Sequence, residues 1–135
     1  MGFAGMIVLD THIWLWWVNE DNEFLKPLWL EVIEQADEVG VSAISLFEVA
    51  WLQQHGKIQL PCAINEWFEK ALAGSGISLL PLTPPIATLA VSLTDYHSDP
   101  QDRIIMATAI VHDGKLISVD KKFPFYPELE NRLIR

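Results

Sequence analysis

The chain has 135 residues, half of them apolar and a fifth charged, which is the length of one domain and excludes a disordered or low-complexity protein. Its one cysteine, Cys62, excludes an internal disulfide and a cysteine-based zinc knuckle, and makes the cytoplasm the expected compartment. Nine Lys and Arg against eighteen Asp and Glu leave a charge of −9, the wrong sign for gripping nucleic acid through a broad basic surface, so a phosphate substrate needs positive charge from elsewhere.

Residues 1–5 read as a leader, and residues 6–135 as a single folded domain. The most apolar stretch, 6–18, is interrupted by Asp10, Thr11 and His12 and has no basic leader, so it is neither a secretion signal nor a membrane span. Met6–Leu9 has the length and character of a first strand. Ile13, Trp14, Trp16, Trp17 and Val18 then take helical spacing, and Pro27 opens a second helix carrying Leu28, Val32 and Ile33. A second strand is predicted at Val39–Ile44, followed by a helix with Phe47, Ala50 and Trp51. Pro61 opens another with Ile64, Trp67, Phe68 and Ala71, closed by Gly74. A third strand, Ile77–Leu80, precedes a helix begun by Pro84-Pro85. Pro100 begins the last helix, Ile104–Val111 lies within it, Gly114 ends it, and Lys115–Val119 is the fourth strand. Strands apolar throughout that alternate with helices predict an α/β fold, a central and mainly parallel sheet covered on both faces.

Four acids fall on one edge of that sheet. Asp10 and Asp120 directly follow predicted strands, at the carboxyl-end rim where parallel sheets bind ligands. Ser45-Leu46-Phe47-Glu48 fits a capping box with Glu48 at the third helical position, and Asp99-Pro100-Gln101-Asp102 repeats the grammar with Asp99 as cap and Asp102 at the third position. Each acid alone reads as well as a cap or turn residue. Together they are a different matter, because two like charges about 4 Å apart repel by roughly 4 kcal/mol at an effective dielectric of 20. A divalent cation relieves that repulsion. An oxygen-only donor set suits Mg²⁺ or Mn²⁺ better than zinc, and such an ion supplies the missing positive charge for a phosphodiester.

At these residues the chain resembles the PIN-domain ribonucleases, specifically the VapC toxins of type II toxin–antitoxin systems. The resemblance is carried, in order, by Met6-Ile7-Val8-Leu9-Asp10-Thr11-His12 with Leu15-Trp16-Trp17, by 41–49, by Gly56-Lys57-Ile58-Gln59-Leu60-Pro61, by His97-Ser98-Asp99-Pro100-Gln101-Asp102-Arg103, and by Leu116-Ile117-Ser118-Val119-Asp120 with Phe123. It departs from the pattern at Gln101, where an aromatic often stands, and near Leu52, where a basic residue does. The resemblance implies a three-layer α/β/α PIN-like fold, a Mg²⁺ or Mn²⁺ site and endonuclease action on RNA. It makes Asp10, Glu48, Asp102 and Asp120 the catalytic and metal-binding quartet, with Thr11 and Ser45 as supporting hydroxyls. It also implies a homodimer neutralised by a small antitoxin. Six tryptophans are consistent with self-association, and the acidic pocket favours an antitoxin with a basic segment.

Arg103, beside Asp102, reads as a phosphate ligand or as the ion-pair partner of a nearby carboxylate, and Asp99 stands with it at the border of the site. His12 and His97 border the site without a metal-binding spacing, and Cys62 has no histidine near it to activate it. The tryptophans read as core or interface, and Lys57, Lys115, Lys121 and Lys122 as solvated charges. Three other readings remain at this level. They are a non-catalytic PIN-like binding module, a metal-dependent DNA nuclease, and a receiver-like phosphoacceptor, though the last wants adjacent acids after the first strand, where Asp10 is followed by Thr11.

Overall fold

The structure, a computed structural model, describes residues 5–95 and 98–135, so His97 and residues 1–4 of the leader lie outside the described residues. Five strands, β1 (Met6–Leu9), β2 (Glu38–Ser42), β3 (Ser78–Leu80), β4 (Lys115–Ile117) and β5 (Leu133–Ile134), form one sheet in the order β3-β2-β1-β4-β5. Every pairing is parallel, with Val8 opposite both Gly40 and Leu116. The connections are α1 (Thr11–Val18), α2 (Pro27–Gln35), α3 (Ile44–Gln54), α4 (Ile64–Ala71), α5 (Pro84–Ser92) and α6 (Pro100–Val111).

The alternation of side chains along β1 divides the core into two layers. Ile7 and Leu9 face a layer with Ile13, Trp14, Trp29, Val32, Val49 and Trp67, under α1 to α4. Val8 faces the other, with Ile86, Ala90, Ile105, Met106, Leu116 and Phe123, under α5 and α6. This is the three-layer α/β/α arrangement. No helix among the described residues is long and apolar enough to cross a membrane.

The central strand β1 has β2 on one side and β4 on the other, so the chain leaves it in opposite directions, and the crevice at this switch point opens past the carboxyl ends. Because α6 returns antiparallel to β4, its amino end stands on the same rim.

Some boundaries differ from the sequence reading, for local reasons. β2 stops at Ser42, and Ser42 Oγ accepts from the Ile44 amide at 3.2 Å, so α3 begins at Ile44 with Ala43 as its cap. Ser45 is therefore inside the helix, and Glu48 lies in its second turn, not third in a capping box. Pro61 precedes α4, which starts at Ile64. Gly74 lies within a short 3₁₀ turn, and Gly76, at φ 71°, makes the left-handed exit that glycine favours. The ladder of β4 ends at Ile117, two residues before the predicted end. β5 was not foreseen, because two residues are too few to carry a period.

Candidate active site

Asp10 directly follows β1 and caps α1. Its carboxylate accepts from the Thr11 amide at 2.8 Å and from Ser118 Oγ at 2.6 Å. Ser118, buried just past β4, also accepts from the Asp120 amide at 3.0 Å, so one hydroxyl ties two of the acids together. Asp120 then bends back to accept from the Lys122 amide at 2.8 Å, the turn its sequence position anticipates.

On the other side of Asp10, the buried Thr11 hydroxyl donates to Glu48 Oε1 at 2.8 Å and lies 2.8 Å from Ser45 Oγ. A hydroxyl has one proton, so with Thr11 donating to Glu48, Ser45 is the donor to Thr11. A directed chain from Ser45 through Thr11 thus aims Glu48 at the rim. Thr11 and Ser45 are hydrogen-bonded to one another beside Glu48, and Ser118, which sequence reasoning missed, is a third hydroxyl, bonded to one of the acids; a serine in the run Leu-Ile-Ser-Val is its only signal.

Asp102 arrives from the third position of α6. Asp99 caps that helix, its Oδ1 accepting from the Asp102 amide at 2.9 Å, and Pro100 occupies the first turn. The electrostatics join all four acids. Burial holds the Asp10 carboxyl up at about 6; its hydrogen bonds from Ser118 and Thr11 pull it down, and the charges of Glu48 and Asp120 raise it. Asp102 is raised to about 7, first by burial and then by Asp99, Asp120, Asp10 and Glu48.

Among the described residues, no three His, Cys, Asp or Glu side chains close into a ready-made cation cage. The donor set still fits a hard, partly hydrated ion. Among the described residues its charged donors are carboxylates, and the neighbouring acids' charges add to burial in raising two of them. Mg²⁺ usually takes one or two carboxylates directly and keeps several waters, so it does not need a closed protein cage.

Of the two roles the sequence leaves open for Arg103, phosphate ligand or partner of a nearby carboxylate, its position leans to the second, since its charge acts on the Glu128 carboxyl. Its guanidinium turns away to the carboxyl end of α5, donating from Nε to the Ala90 carbonyl at 2.9 Å and otherwise to the carbonyls of Val91, Leu93 and Thr94. Helix carbonyls without intrahelical partners outcompete a distant anion here. Glu128 holds the next stretch, accepting from the Thr94 amide at 2.9 Å and hydroxyl at 3.0 Å, and Ser98 hydrogen-bonds Tyr126. Arg103 is thus part of the frame that leads the chain to Asp99 and Asp102. His12 is exposed at the start of α1 and stacks obliquely near Trp16, 6.1 Å between rings. Trp14, Trp29 and Trp67 are core, whereas Trp51 is exposed.

Comparison with known proteins agrees with the fold and gives the family. The PIN domain family model matches residues 7–129. A curated relative, the ribonuclease VapC22 of Mycobacterium tuberculosis (strain ATCC 25618 / H37Rv), is 37% identical over 117 residues, covering 86% of this chain and 88% of the relative. Among solved structures, VapBC2 from Rickettsia felis, crystallised with a promoter DNA fragment, superposes with a TM-score of 0.69 at 16% identity, covering 96% of this chain and 97% of that one. A toxin–antitoxin complex from Klebsiella pneumoniae gives 0.62 at 20% identity, covering 96% of each chain. At these identities the solved structures speak for the fold, while the family match and the curated relative speak for kinship: the chain belongs to the PIN-domain family and is a homologue of the VapC ribonucleases.

Proposed function

We propose that this chain is a divalent-metal-dependent endoribonuclease and the toxin of a toxin–antitoxin pair, with residues 6–135 as its one catalytic domain. The observation that carries the reading is the rim that bears Asp10, Glu48, Asp102 and Asp120, where burial first and the neighbouring acids' charges second raise Asp10 and Asp102, in a homologue of a named ribonuclease.

Asp10, Glu48, Asp102 and Asp120 would hold the ion, Mg²⁺ or Mn²⁺ by donor type. When bound, it supplies positive charge to the phosphodiester, lowers the pKa of attacking water and steadies the leaving oxygen. The chain's own residues prepare the site. Ser118 and the Thr11 amide fix the Asp10 carboxylate, Thr11 fixes Glu48, and the turn at Lys122 fixes Asp120. Asp102 comes from the first turn of α6, where the Asp99 cap holds its amide.

The partner in this reading is a small antitoxin offering a basic segment to the acidic rim, matched by the net charge of −9. The solved structures of similar fold include toxin–antitoxin assemblies, which supports such a partner. Self-association as a homodimer is supported by the apolar groove between α5 and α6, where Leu82 and Val91 are exposed. The test is incubation of the purified protein with total RNA, with and without Mg²⁺ or Mn²⁺. Metal-dependent cleavage at defined positions is expected, and intact RNA under every metal condition would overturn the reading.

A further inference from the structure

Helix α3 carries two neighbouring ridges at four-residue spacing. One bears Glu48 and Leu52, and the next bears Phe47 and Trp51 and is continued by His55, the residue that caps the helix's carboxyl end. Ser45 and Val49 are the buried face, so the core has no use for the second ridge. Phe47 is 57% exposed and Trp51 45%. The His55 ring stacks on Trp51 at 4.0 Å and 19°, and its Nδ1 lies 2.8 Å from the Trp51 carbonyl oxygen, so the indole is braced while almost half the residue stays open.

These rings are continuous with the acidic rim. Phe47, Glu48, Trp51, Leu52, Asp99 and Gln101 line one crevice of about 420 Å³, in which Glu48 is itself one of the four acids and Asp99 caps the helix of another. A strand whose phosphate lies at the acids must lead its next nucleotide along one wall or another, and this wall offers two aromatic faces and a side-chain amide. Charge adds weight to that choice. A net charge of −9 disfavours holding RNA by its phosphates beyond the cation's own contact, whereas stacking on aromatic rings does not depend on net charge.

We propose that the crevice of Phe47, Trp51 and Gln101 is a nucleobase subsite, where the base beside the scissile phosphate stacks on the rings and presents its edge to the Gln101 amide. The proposal rests on the ribonuclease reading and adds to it the part of the substrate the enzyme grips. It makes Trp51 a positioning and specificity residue, outside the acid chemistry.

The test compares wild type, Trp51→Ala, Trp51→Leu and Trp51→Phe on total RNA with Mg²⁺, mapping the cut positions, then on an oligoribonucleotide spanning one mapped cut and on the same oligomer made abasic at each flanking position. Because the stacked base is held in ground and transition states alike, Trp51→Ala is expected to raise KM roughly tenfold with kcat little changed, and to relax base preference at one flanking position. Trp51→Phe should restore much of the loss, the abasic oligomer should reproduce it, and the metal-induced rise in Tm should be unaltered. Since Trp51 is on the surface, folding should survive, and Trp51→Leu keeps an apolar cover for the helix should alanine not be tolerated. Unchanged KM and cut positions in a folded variant overturn the subsite, as does a variant whose only change is in oligomeric mass or antitoxin binding, which would make the ridge a protein interface. If the wild type itself cuts no RNA with either metal, the ribonuclease reading falls and takes the subsite with it, an outcome separate from a wild type that cuts and a variant that cuts identically.

Discussion

Asp10 both caps α1 and faces Glu48 and Asp120 electrostatically, so capping and ion binding are not alternatives at this position. The two roles respond differently to Asp10→Asn. Asparagine caps as well as aspartate does, so the cap survives, while a carboxyl raised from 3.8 to about 6 loses a cost of ionisation worth at most about 3 kcal/mol. The metal-free variant should therefore melt at the same temperature as wild type or higher at pH 7.5, while RNA cleavage falls by more than about a hundredfold. A variant that melts lower and still cuts would make the acid structural. Ser118→Ala separates support from ligation, because it removes the donor to Asp10 and the acceptor for the Asp120 amide but leaves every carboxylate. Its metal affinity, measured by calorimetry, should weaken about 10–100-fold, the usual effect of losing a group that orients a ligand. Unaltered affinity would remove Ser118 from the site.

Arg103 closes the carboxyl end of α5 with hydrogen bonds to four carbonyls, and no other residue type has the donors and planar fork to replace it. Arg103→Met keeps the apolar stem and should cost about 1.5–3 kcal/mol in urea unfolding, with metal affinity reduced only through the displaced start of α6. Loss of RNA binding at unchanged stability would instead give Arg103 the phosphate role, one of the two that its place beside Asp102 suggests. The direction in which Arg103 points shows where the sequence was legible and where it was not. The rim could be read because strand ends and helix starts are local signals: an apolar run before Asp10, and Asp99-Pro100 before Asp102. The start of α3 was misread because Ser42 and Ser45 offer the same hydroxyl, and only the register with β3, where the Ala43 amide donates to the Leu80 carbonyl at 2.8 Å, decides between them. Where Arg103 points depends on α5 lying against α6, and Ser118 gains its role only when β4 lies beside β1; neither fact is local in the chain.

At the scale of the whole molecule, apolar surface and acidic charge make separate demands. Val91, 83% exposed over the α5–α6 groove, should be covered in a homodimer, so Val91→Asp is expected to shift the mass in solution from dimer to monomer without altering the metal-induced rise in Tm. A wild type that is monomeric at all concentrations would remove that interface. The acids set the pH dependence. Asp10 at about 6 and Asp102 at about 7 hold protons more tightly in the folded chain than in the unfolded one, where both titrate near 3.8. Between about pH 4 and 7 the native state therefore binds the extra protons, and these two groups make the metal-free protein less stable as pH rises through that window. A divalent ion reverses the slope, since it binds the ionised carboxylates and stabilises by RT ln(1 + [L]/Kd), about 2.7 kcal/mol at a hundredfold excess over Kd. Melting with saturating Mg²⁺ and with EDTA should accordingly give nearly equal Tm at pH 5 and a gap that widens through pH 6 and 7 before levelling. In Asp10→Asn/Asp102→Asn the fall in metal-free stability from pH 4 to 7 should flatten and the gap should shrink at every pH. A metal effect as large at pH 5 as at pH 8 would mean that the ion binds somewhere other than these carboxyls.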